Sequence, residues 1–166
     1  MERYAAGALL IYGRTGVCRV ESLTETKRSD GTRQSCYVLQ PLYQSYCITI
    51  PVDSQAVFIR MPVSATEARA LIDALPAREA EPYYNRNINQ LRDHYRGQLE
   101  RCSCEDLALF VLSLYRKRRE VLASGKKFGA VDERFLKEAE DLLCGELGAA
   151  LNIGREEARA LLEPAR

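Results

Sequence analysis

Two cysteines one residue apart, Cys102 and Cys104, are the first residues whose type and spacing suggest chemistry, because closely spaced thiolates hold zinc. A structural zinc site needs four ligands, usually from two such pairs. Here only Cys144 follows, Cys18, Cys36 and Cys47 lie far upstream, and the one histidine, His94, adds a single nitrogen. The set is incomplete, so the spacing predicts thiols packed as small apolar side chains and no metal. A single histidine also argues against a Ser-His-Asp triad. Gly13-Arg14-Thr15-Gly16 lacks the Lys-Ser/Thr of a phosphate-binding loop, and no carboxylate stands isolated in an apolar run that would perturb it. These residues predict no enzyme, no cofactor and no small-molecule substrate.

Charge and aromatic residues carry more. The chain has 24 Lys+Arg against 23 Asp+Glu, a net charge of +1, but the balance is uneven along it. Arg116, Lys117, Arg118, Arg119, Lys126 and Lys127 face one acid, Glu120, and residues 132–146 answer with six acids. One compact basic stretch in a near-neutral chain suits a patch-wise anionic partner; the alternative is a solvated helix face. Arg116 to Arg119 end a helix, where cations also complement its dipole. Lys126, Lys127 and Arg134 flank a loop and a helix start, where free N–H groups already favour phosphate. Upstream, Tyr83, Tyr84, Arg86, Leu91, Arg92, Tyr95 and Arg96 interleave rings and cations around another helix start. Leu91, Tyr95 and Leu99, spaced by four, also read as a core stripe, which settles Leu99 and leaves Leu91 open.

The elements that must position these residues change character near residue 62. Before it, Ala8–Tyr12, Val17–Leu23, Ser35–Leu39, Tyr46–Val52 and Val57–Arg60 read as short strands, with Ser29-Asp30-Gly31 as a hairpin turn. Five short strands in so few residues predict a small barrel, because closure removes exposed edges. In Tyr46–Val52, alternation puts Ile48 and Ile50 on the core and Cys47 and Thr49 outward. Such an outward edge can accept a partner strand, with Lys27, Arg28 and Arg33 from the neighbouring loop; the alternative is an ordinary solvent-facing strand.

After Pro62 the period is helical. Ser64-Ala65-Thr66-Glu67 is a capping box, Ser103 to Asp106 resembles a second, and Asp132 is placed to cap a later helix. Helices are expected after Ser64, over about 87–100, from Ser103 to near Gly125, after Asp132, and over about 155–162. The fold class is therefore α+β in two domains, a five-stranded β-barrel over 1–62 and an all-helical domain over 63–166. Apolar residues make up 46% and charged residues 28%, an ordinary globular composition. Ala8–Tyr12 is far too short to span a bilayer, and Glu2 and Arg3 precede a run too short for a signal peptide. The expectation is a cytoplasmic protein with reduced thiols and no membrane partner.

Gly7-Ala8-Leu9-Leu10-Ile11-Tyr12, Gly16-Val17 with Val20, Tyr37-Val38-Leu39 and Ile48-Thr49-Ile50-Pro51-Val52 resemble the opening strands of the CarD/CdnL family of bacterial transcription regulators. Tyr95, Leu99 and Glu100, then Asp132-Glu133-Arg134-Phe135-Leu136, Ala139, Leu142-Leu143 and Glu146-Leu147 extend the likeness through the helical half. The resemblance implies a Tudor-like barrel, shared with transcription-repair coupling factor, that docks on the RNA polymerase β subunit. It also implies a helical domain lying on promoter DNA at the upstream edge of the melted bubble, stabilising the open complex without sequence readout. Under it, Lys27, Arg28, Arg33, Cys47 and Thr49 become candidate polymerase contacts. Tyr83, Tyr84, Arg86, Leu91, Arg92, Lys126, Lys127 and Arg134 become candidate DNA contacts, to the backbone and minor groove of nucleoid DNA. The family wedges a tryptophan into the minor groove shortly before the tyrosine matched by Tyr95. This chain has no tryptophan, and Leu91 stands at that spacing. Thr49 stands where many members carry arginine. The alternative function is an adapter whose barrel docks on polymerase and whose helices bind no DNA.

Overall fold

The computed structural model describes residues 4–166; Glu2 and Arg3, which bear on the question of a leader, lie outside the described residues. The fold is α+β, with a boundary between compact units after Pro62. The first unit contains β1 (Leu9–Tyr12), β2 (Gly16–Lys27), β3 (Arg33–Pro41), β4 (Ile48–Pro51) and β5 (Ile59–Arg60). They form one antiparallel sheet in the order β4-β3-β2-β1-β5.

This sheet is not the closed barrel expected from strand number. β5 has two residues and pairs only with Ile11 and Tyr12 of β1, while β4 has four and pairs only with β3. End strands this short offer few backbone groups for a closing ladder. The apolar side chains of alternating positions, Leu10, Cys18, Val20, Tyr37, Leu39 and Ile50, make the core of the sheet. β1 turns into β2 through Gly13, whose φ of 47° is left-handed and whose added Cβ would meet Val57 Cγ1 at 2.6 Å.

β2 and β3 run further than their apolar residues alone suggest. Their ladder continues from Cys18↔Pro41 through an irregularity between Val20 and Ser22 to Lys27↔Arg33. The turn is closed by Arg28 N–H donating to the Thr32 carbonyl at 2.8 Å, with the Asp30 carboxylate accepting from the Thr32 N–H at 2.9 Å. β4 covers only Cys36 to Leu39 of β3, and every residue from 21 to 33 is exposed. The far part of the β2–β3 hairpin is thus a two-stranded polar ribbon with no buried face.

The second unit contains α1 (Ala65–Ala74), α2 (Ile88–Leu99), α3 (Cys104–Ala123), α4 (Ala130–Leu151) and α5 (Arg155–Leu161). Ser64 accepts from Glu67 N–H at 3.1 Å while the Glu67 carboxylate accepts from Ser64 N–H, a complete capping box. Ser103 and Asp106 close a second, with distances of 3.0 and 3.1 Å, so the shorter aspartate suffices. Asn87 caps α2 by accepting from Asn89 and Gln90 N–H. α4 is the central element and packs on α1, α2, α3 and α5. Its cap is Gly129, with no side-chain bond; Asp132, expected in that role, lies inside the first turn and is buried. Among the described residues no helix is long and apolar enough to cross a membrane.

Candidate functional site

Only part of the basic stretch reaches solvent. Lys117 is 4% exposed: its ammonium donates to Asp132 Oδ1 at 2.8 Å and to the Tyr95 hydroxyl oxygen at 3.1 Å. Tyr95 O–H in turn donates to the same Asp132 oxygen at 2.5 Å. Burial first, then this carboxylate, push the Tyr95 hydroxyl far above the ordinary phenol range. Arg116 donates to the Arg78 carbonyl and Arg119 to the Arg166 carbonyl, and the Arg118 guanidinium lies 5.6 Å from the Tyr115 ring centroid. A sequence count of charge therefore overstates what this stretch offers a partner. The phase of the residues carried the missing signal. Lys117 continues the Leu107, Phe110, Leu114 stripe of α3, and Asp132 continues the Leu136, Ala139, Leu143 stripe of α4.

Lys126 and Lys127, in the loop between α3 and α4, remain exposed, and they share a hollow with Tyr84, Arg86 and Leu91. The hollow is about 580 Å³. Ile88 and Val121, which the sequence reading did not single out, complete its apolar side, and the Lys117–Asp132 pair lies within its wall. Five of the candidate DNA contacts thus converge. Tyr84 is 55% exposed, donates its O–H to Glu120 at 2.5 Å, and has the Lys117 ammonium 4.9 Å from its ring centroid. Partial burial and then the Glu120 carboxylate push its hydroxyl up to about 12.

Leu91 is 4% exposed and belongs to the helical core with Tyr95 and Leu99. A wedge must project from the surface, so the structure assigns Leu91 to the core stripe and not to that role. The exposed apolar side chains beside it are Tyr84 and Ile88, the latter 47% exposed at the first turn of α2.

Tyr83, Arg92 and Arg134 lie outside the lining of this hollow. Tyr83 stacks on His94, ring centroids 3.6 Å apart and 12° from parallel, in a second hollow of about 440 Å³. Glu79, Glu81, Glu100 and Asp106 are on its wall, which makes it a poor place for phosphate. Burial lowers the His94 pKa, keeping the imidazole neutral at neutral pH. Arg92 is half-buried, and the exposed Arg134 holds its guanidinium 5.3 Å from the Phe135 ring centroid.

In the sheet unit the candidate contacts fall in two places, the β4 edge and the tip of the β2–β3 hairpin. Thr49 is exposed on β4 opposite Val38, and the outer side of β4 pairs with no strand among the described residues. Cys47 precedes the strand, exposed, with its thiol 3.1 Å from Gln40 Oε1. Tyr46 also lies before the strand and is 52% exposed, so the alternation holds only from Ile48 onward. Lys27, Arg28 and Arg33 sit past the opposite end of β4, at the tip of the ribbon. Arg28 donates to Gln34 Oε1 at 2.6 Å, and Arg33 pairs with Glu25 at 3.5 Å, both side chains exposed.

None of the six cysteines is in a disulfide; Cys104 and Cys144 are buried and Cys102 is half-buried. Burial pushes Cys144 up to about 12 and Cys18 up to about 11. Among the described residues no three His, Cys, Asp or Glu side chains are grouped to hold a metal ion.

The family model of the CarD-like/TRCF RID domain matches residues 4–63. No curated protein matches the chain.

Proposed function

With residues 4–63 forming a CarD-like/TRCF RID domain, we propose that the protein is a transcription regulator that docks on the β subunit of RNA polymerase. In this reading the open sheet serves as the Tudor-like docking module. The helical unit lies on promoter DNA at the upstream edge of the bubble and modulates open-complex stability without a defined sequence readout. It acts at the nucleoid, as a binding protein with no catalytic step and no cofactor.

The observation that carries the polymerase half is that the matched domain has β4 at one edge of its sheet, with an exposed Thr49 and one side unpaired among the described residues. Such an edge adds a partner strand through main-chain hydrogen bonds. The polar ribbon beside it supports the same reading, since an isolated two-stranded hairpin is marginally stable until something packs on it. For the DNA half, the support is the convergence of Arg86, Lys126 and Lys127 on one hollow. Cations of this kind bind the phosphate backbone and position a protein without specifying bases.

Thr49→Pro removes one backbone donor from the edge strand and should weaken co-purification of polymerase while the helical unit keeps its melting transition. Undiminished capture by a variant shown to be folded would overturn docking through this edge.

A further inference from the structure

The hollow beside α2 is two-sided. Its lining combines apolar side chains, Ile88, Leu91 and Val121 (which we term the floor), with the exposed cations Arg86, Lys126 and Lys127 (the rim), and it also includes the Tyr84 ring and the Lys117–Asp132 pair. At about 580 Å³ it is an open hollow of the size of a small organic ligand. A duplex backbone alone would engage the rim and leave the floor facing water, and a neutral apolar ligand would leave the cations unpaired. One chemical unit satisfies both sides, a flat apolar base carried between phosphates.

We infer that this hollow receives one unstacked nucleotide of the DNA, its base against Ile88 and Val121 and its flanking phosphates on Arg86, Lys126 and Lys127. The inference rests on the DNA reading above and adds the state of DNA the site prefers. Pulling a base from an intact stack costs free energy, which a base already out of the stack does not charge to binding. Preference for melted over paired DNA then comes from the hollow itself, with no projecting wedge. Because every base has an apolar face, the preference needs no particular sequence.

The test uses the full chain and three DNAs of the same flanking sequence, at one salt concentration. One is fully paired, one carries a single bulged thymidine, and one carries an abasic residue at the bulge. The bulged thymidine should bind at least about fivefold tighter than the abasic bulge, the size expected for covering one base. Both bulges have the same number of phosphates, so the ratio does not reflect charge, and substitutions in the floor separate contact with the hollow from any difference in DNA bend. Val121→Trp, which fills the floor, should bring the ratio near one; Ile88→Trp, at another apolar position of the lining and already half-exposed, provides a second variant if the first does not fold. Equal affinity for the two bulges, with clear binding to paired DNA, overturns the inference and leaves the DNA reading standing. No binding to any of the three overturns both and leaves the adapter function.

Discussion

At the scale of single residues, the group that most constrains the helical unit is Lys117. Its ammonium is out of water and donates hydrogen bonds to Asp132 and Tyr95, with the Tyr84 ring 4.9 Å away. A buried pair contributes little relative to a well-packed apolar substitute, but removing one partner leaves the other charge desolvated and alone. Lys117→Met should therefore cost about 3–5 kcal/mol of unfolding free energy in urea titration. Adding Asp132→Asn should recover a large part of that loss, because the double variant buries no unpaired charge. A single variant within about 0.5 kcal/mol of the parent would mean that the pair is solvated after all. The same residue illustrates the limit of reading charge from sequence: Arg116-Lys117-Arg118-Arg119 looks like one surface run, and the helix turns its second member inward.

At the scale of elements, α2, α3 and α4 each bury a group that folding holds neutral: Tyr95, Tyr115 and Cys144. Burial is the main cause in all three, and the Asp132 and Glu140 carboxylates add to it for the tyrosines. The folded pKa values lie above the unfolded 10.0, 10.0 and 9.0, so folding favours the protonated form. The associated stability is complete below about pH 9 and is lost as pH rises above it, toward the Cys144 value of about 12. Urea midpoints of the helical transition should be level from neutral pH to about 9 and fall steeply beyond, and a level midpoint to about pH 11 would contradict this packing. Much of the element structure was legible. The capping boxes at Ser64 and Ser103 are local and were readable from four residues each. The start of α4 was not, because Gly129 caps without a side chain and Asp132 is recruited by a lysine on another helix. The barrel expectation failed for a related reason: strand number is local, whereas closure depends on the lengths of the two end strands, and β4 and β5 are too short.

At the scale of the whole molecule, a net charge of +1 gives an anionic partner almost no general attraction, so any DNA binding must come from where the cations are placed. The sequence showed the basic stretch and the ring-and-cation segment as separate features. Only the fold brings Lys126 and Lys127 beside Arg86 and Tyr84, because that contact joins the α3–α4 loop to the α2 start. It also sends Tyr83 and Tyr84, neighbours in sequence, to different hollows. This placement makes a quantitative statement about salt. Each phosphate neutralised by a lysine releases condensed counterions, so each contact adds about one to the slope of log affinity against log salt. Replacing Lys126 and Lys127 by alanine should therefore lower that slope by about two, nearly independent of DNA sequence. Replacing Lys27, Arg28 and Arg33 removes more charge from the chain but from the sheet unit, and should leave the DNA slope unchanged while weakening polymerase capture. Fluorescence anisotropy across a salt series measures both variants. If the two sets lowered the slope alike, DNA would be responding to total charge, and the assignment of separate partners to the two units would fail.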